Sequence, residues 1–83
     1  MSWNYRVCKR NYLSDEYFTI HEVYYNDDGS IWAVTEEAVG PFGDSPKEIK
    51  DCLKKMQEAL KKDVIDLDTL VFAPHAPADL TLD

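Results

Sequence analysis

Long apolar runs are missing from this 83-residue chain, and nothing in it approaches the 18 residues that a membrane-crossing helix requires. No secretory leader is expected. Cysteine is scarce: Cys8 and Cys52 form no C-x-x-C pair, so the chain reads as a soluble, cytoplasmic protein of a reducing compartment, with Cys52 a small buried thiol. Glycine is scarce too. The Gly40-Pro41-Phe42-Gly43 stretch lacks the G-x-x-x-x-G-K-[ST] pattern of a phosphate cradle, and no G-x-S-x-G elbow presents a nucleophile. Positive charge is in deficit, with nine basic against 16 acidic residues and a formal charge of −7. Such a surface repels nucleic acid and anionic membrane, and direct binding to either is not expected.

Metal and acid–base chemistry find as little support. Cys8, His21, Cys52 and His75 have none of the close pair spacings of zinc sites. The Asn26-Asp27-Asp28-Gly29 run fails as a calcium loop, because placing Gly29 at the sixth position puts Tyr24 at the first and Thr35 at the twelfth. Glu36 and Glu37 would point to opposite faces of a strand. Cys8 and His21 could be neighbours on adjacent strands, which permits a thiol–imidazole pair without showing one. The expectation is a protein that is not an enzyme and has no metal and no cofactor.

What is present is led by residues 45–62, SPKEIKDCLKKMQEALKK. Ser45 with Glu48 forms an S-x-x-E capping box, and Pro46 occupies the first helical position. Ile49, Cys52, Leu53, Met56, Ala59 and Leu60 recur at offsets of 3, 4, 7, 10 and 11, one stripe at helical period. Lysines cover the opposite face, so residues 46–62 carry +3 while residues 1–45 and 63–83 each carry −5. An amphipathic helix cannot hide its stripe alone.

The partner is a sheet. Residues 3–9 alternate as a half-buried strand, residues 10–16 form a hairpin loop with a Ser-Asp turn signal, and residues 17–25, rich in aromatic and β-branched side chains, form the longest strand. Residues 26–30 supply a second turn around Gly29, and residues 31–36 a third strand. The predicted fold is α+β: a three-stranded antiparallel sheet with one helix on one face, β-β-β-α, forming a single domain over residues 1–72. Residues 64–72 are either a short helical turn opened by Asp66 or Asp68, or an extended segment lying on the sheet. Residues 73–83, with two prolines and an Ala-rich polar composition, read as an irregular tail tethered only if Leu80 or Leu82 finds a pocket.

Eight of the ten aromatic residues lie between residues 3 and 32, more than one helix can cover. Phe18, Ile20, Tyr5, Val7, Ile31 and Ala33 are expected to face the helix, leaving Tyr17, Val23, Tyr25, Trp32 and Val34 on the far side. That side is covered by residues 64–72, paired with a second copy in a homodimer, or offered to a protein partner.

The order of elements and the phrase GDSPKEIKDCLKKMQEAL resemble the β-β-β-α module of HicB-type antitoxins over roughly residues 17–62. The resemblance implies a partial double-stranded-RNA-binding-like fold that does not bind RNA, and a role in holding a toxin partner. WNYRV and IHEVYY depart from that pattern, and no DNA-binding domain follows the helix. These two stretches are similar instead to a group of short uncharacterised bacterial proteins, which carries no activity over. Function is therefore expected to be non-catalytic protein–protein interaction through Tyr25, Trp32, Val23 and Tyr17. The alternative is an acidic, antitoxin-like inhibitor that covers a basic or nucleic-acid-binding partner.

Overall fold

The first 25 residues close into one long hairpin in the computed structural model, which describes residues 2–75. Strand β1 (Ser2–Tyr12) pairs antiparallel with β2 (Asp15–Tyr25) in unbroken register from Ser2 opposite Tyr25 to Tyr12 opposite Asp15. The connection is two residues, Leu13 and Ser14, rather than the loop expected over residues 10–16. Polar Arg10 and Asn11 stay in the strand because the exposed end of a ribbon has nothing to bury. Leu13 and Ser14 take φ values of 50° and 75°, the left-handed pair that a two-residue hairpin favours and that Asn-Gly adopts at least cost. Each non-glycine residue held there costs about 1–2 kcal/mol. Exchanging the pair for Asn-Gly should raise the stability measured in urea by about 1 kcal/mol, the lost strain exceeding the added glycine entropy. A destabilised variant would contradict this turn geometry.

Strand β3 (Ile31–Val34) adds antiparallel to β2, and β4 (Ile65–Asp66) adds parallel to β1, giving the order β3-β2-β1-β4. The α+β class and the single helix stand, but the sheet is a curled, mixed one of four strands and not the expected three antiparallel ones. Two residues, one of them Asp66, are too short for an alternation pattern to register. Both expectations for residues 64–72 meet here in succession. Ile65 pairs with Cys8, and then Asp66 opens a turn, its Oδ1 accepting from the Asp68 amide and its carbonyl from the Leu70 amide.

The chain next crosses the sheet. The Leu67 amide donates to the Lys9 carbonyl at one edge, and the Ala73 amide donates to the Ile31 carbonyl at the other, 2.7 Å away. Pro74 follows, its carbonyl accepting from Asn26 Nδ2. Beneath this strap lie Cys8, Val23 and His21, which share one face by register and are 0%, 0% and 3% exposed. Of the three possibilities for that face, cover by the chain's own following residues is the one adopted. Residues 76–83, including Leu80 and Leu82, lie outside the described residues.

Helix α1 (Pro46–Glu58) occupies the other face and ends in a single 3-10 turn, Ala59–Lys61. Ser45 Oγ accepts from the Glu48 amide, as the capping box requires, while Glu48 Oε1 reaches one residue further back, to the Asp44 amide. Met56 and Ala59 are buried against the sheet. Leu53 and Leu60 are not.

A bulge opposite Tyr24 and Tyr25 changes how β3 presents its side chains. Tyr25 pairs with Ile31 and Tyr24 with Ala33, so Trp32 is the extra residue. Simple alternation predicts Ile31 toward the helix and Trp32 away from it. Instead Ile31 shares the face of Tyr25 under the strap, and the Trp32 ring lies 5.8 Å from that of Tyr24 on the helix side. One inserted residue accounts for both reversals.

Candidate functional site

The four residues expected to form a single binding face occupy separate environments. Val23 is fully enclosed beneath the strap, the first of the alternatives expected for its face, and offers nothing to a partner. Tyr25 is half-buried in a polar network: its Oη donates to Asn4 Oδ1 at 2.7 Å and accepts from Arg6 Nη1 at 3.1 Å, while Arg6 Nη2 donates to the Asp63 carbonyl. Trp32 stacks on the His75 ring at 3.8 Å. Only Tyr17 is substantially open, beside a cavity of about 330 Å³ that it shares with Thr19, His21, Glu36 and Leu67.

His21 is the most reactive residue type near that cavity, and both its nitrogens are engaged. Nδ1 donates to the Thr35 carbonyl at 3.0 Å, since a carbonyl only accepts, and Nε2 is hydrogen-bonded to Thr19 Oγ1 at 2.8 Å. Cys8 sits opposite Thr19 on the same face, but its thiol donates to the Arg6 carbonyl. Burial pushes that thiol's pKa up, against the direction an activated nucleophile needs. Adjacent strands thus bring the two residues onto one face without joining them. Among the described residues, no group of three or more His, Cys, Asp or Glu is placed to hold a metal, and no helix is long and apolar enough to cross a membrane.

No protein-family model, no curated protein and no solved structure matches this chain. The reading of the site therefore rests on its own geometry, and that geometry concentrates on the two flanks of α1.

On the flank toward β2, a trough of about 430 Å³ is lined by Ile20, Val39, Pro41, Leu53, Met56 and Leu60, with Gln57 its one polar side chain. Leu53 is 46% exposed, Leu60 72%, and Phe18, two residues from Ile20 on the same face of β2, 57%. These are side chains that folding has not buried. Leu53 and Leu60 stand seven residues apart along one border of the α1 stripe. A six-residue stripe facing a small sheet is the signal that one border must remain open.

On the other flank, Trp3 and Tyr5 of β1 face Lys55, Glu58 and Lys62 across a groove of about 390 Å³. Its aromatic wall is ordered. Trp3 meets Tyr5 edge-on at 5.2 Å, and the row continues through Tyr24 at 6.5 Å. Tyr5 Oη and Cys52 Sγ are hydrogen-bonded at 3.5 Å, and that bond, with burial behind it, pushes the phenol pKa up to about 12. The phenol is therefore a neutral, fixed part of the wall at physiological pH.

Proposed function

We propose that this chain is a small non-catalytic protein–protein interaction module whose trough between α1 and β2 receives an amphipathic helix of a partner protein. The observation that carries this reading is the exposure of Leu53, Leu60 and Phe18 around an apolar floor. Side chains left open at the border of a helix's stripe match the helix-in-groove mode of recognition, in which apolar anchors of the incoming helix fill the trough. Exposed Lys50 and Lys54 lie beside Leu53 and favour acidic residues along the borders of that helix. The second reading, an acidic inhibitor of a basic partner, draws on the exposed Asp27, Asp28, Glu36 and Glu37. Salt separates the two.

The test is affinity capture from cell lysate with the tagged protein, a Leu53→Asp/Leu60→Asp variant and a Trp32→Ala variant, each at low salt and at about 1 M salt, where the screening length is about 3 Å. The same protein should be retained by the wild type and by Trp32→Ala at both salt levels, and lost with the double aspartate variant, since a central anchor contributes about 2 kcal/mol or more. Retention by the aspartate variant would remove the trough from consideration. Loss in salt, indifferent to the leucines, would favour the acidic reading.

A further inference from the structure

The flank of α1 opposite the trough carries a different kind of surface, because there the helix overlooks an unfinished edge of the sheet. Strand β1 is 11 residues long, but β4 pairs with it only at Cys8 and Lys9. The Lys9 carbonyl and the Asn11 amide both bond outward, to the Leu67 amide and to Asp68 Oδ2. Backbone groups alternate in direction along a strand, so the odd-numbered residues of β1 point theirs at this outer edge. Trp3 and Tyr5 therefore present their amides and carbonyls where no described strand lies. The edge ends where Arg6 Nη2 ties the strand to the Asp63 carbonyl, which leaves a length of about five residues.

Bare edges invite pairing, and proteins usually blunt them with a proline, an inward charge or a covering segment. Residues 2–6, Ser-Trp-Asn-Tyr-Arg, hold no proline. What stands over them is the groove of about 390 Å³, walled by Trp3 and Tyr5 on the strand side and by Lys55, Glu58 and Lys62 on the helix side. Glu58 is held by Lys61 at 2.9 Å, while Lys55 and Lys62 form no ion pair among the described residues. Two uncommitted cations beside a free strand edge make this groove locally basic on an otherwise acidic chain and select for one kind of occupant.

We infer that the free edge of β1 binds an extended acidic peptide of a partner protein, which adds antiparallel or parallel to Trp3–Tyr5 as a further strand and directs carboxylates at Lys55 and Lys62. Backbone hydrogen bonds supply affinity in this mode, and the side chains that alternate onto the helix side supply selectivity. This surface is separate from the trough, and its failure leaves the trough reading standing.

The probe is a dye-labelled octapeptide of alternating valine and glutamate, titrated by fluorescence anisotropy against the full chain. Three control peptides go beside it: one with lysine for glutamate, and two in which one or the other set of alternate backbone nitrogens is methylated, so that each of the two can pair through only one of its edges. The glutamate peptide should bind and shift the backbone amide resonances of Trp3 and Tyr5. Lys55→Glu/Lys62→Glu, two exposed replacements checked for an unchanged thermal melt, should weaken it about tenfold or more, and the lysine peptide should bind far more weakly than the glutamate one. At least one register of N-methylation should abolish binding. No binding, equal binding to the charge-reversed variant, or amide shifts that follow protein concentration alone, which would mean that a second copy occupies the edge, would each overturn the proposal.

Discussion

Val23→Asp should abolish the folded state, with no cooperative transition left in urea or on heating. Val23 is fully buried in β2 between Asn4 of β1 and Val34 of β3, with the strap over its face. An aspartate there brings a carboxylate into an enclosed site whose polar neighbours are committed: Asn4 Oδ1 accepts from Tyr25, and the Arg6 guanidinium is shared between Tyr25 and Asp63. Burying an unpaired polar group costs several kcal/mol, and a charged one more. A domain of this size has about 4–12 kcal/mol in total to lose. Circular dichroism of the purified variant reads the outcome. If Val23 instead faced solvent, the variant would melt like the wild type.

Gly43→Ala should destabilise by about 2 kcal/mol, whereas Gly40→Ala, three residues earlier in the same loop, should change stability by less than about 0.5 kcal/mol. A Cβ at Gly43 would stand 2.5 Å from Glu48 Cβ and 2.9 Å from the Glu48 carbonyl carbon and the Ile49 nitrogen. Two of those three atoms are backbone of the first turn of α1, so the helix start has to move. That movement also loosens the Ser45 cap and the Asp44 amide bond to Glu48, and a cap alone contributes about 1 kcal/mol. A Cβ at Gly40 meets nothing within 4 Å. For a chain this short the Gly43 effect corresponds to a drop in Tm of roughly 10 °C. Equal melting of the two variants would mean that the loop does not press on the helix.

Much of the architecture was readable from local chemistry. Ser45, Pro46 and Glu48 announce the helix start because a capping bond and a fixed φ act within one turn. The aromatic and β-branched content of residues 17–25 announces the long strand because such side chains suit a pleated, half-buried surface. What escaped was set at longer range or by a single residue. The bulge at Trp32 leaves no mark in an alternation pattern, yet it moves that ring to the helix side and Ile31 to the other. Strand β4 is two residues long, and its pairing with Cys8 is fixed by where α1 delivers the chain. The hairpin turn at Leu13-Ser14 lacks the glycine that normally signals it.

The candidate site was the least legible part for the same reason. Tyr25, Trp32, Val23 and Tyr17 were grouped by counting along strands, which assigns faces correctly only while the register is unbroken. The count also cannot show that residues 67–73 seal one of those faces. With that face interior, the surfaces proposed for partners are the flanks of α1, where Leu53, Leu60 and Phe18 are open on one side and Trp3, Lys55 and Lys62 line a groove on the other.

The central claim, that the Cys8–His21–Val23 face is interior and only the helix flanks are offered to partners, is tested most directly by thiol labelling of Cys8 in a Cys52→Ala variant at pH 8. A sealed face should let Cys8 react only through global unfolding, at a rate suppressed by about a thousandfold or more relative to the protein in denaturant. Labelling within about tenfold of the denatured rate would show the face open to solvent, and would return Val23 and Tyr25 to the list of surfaces a partner can reach.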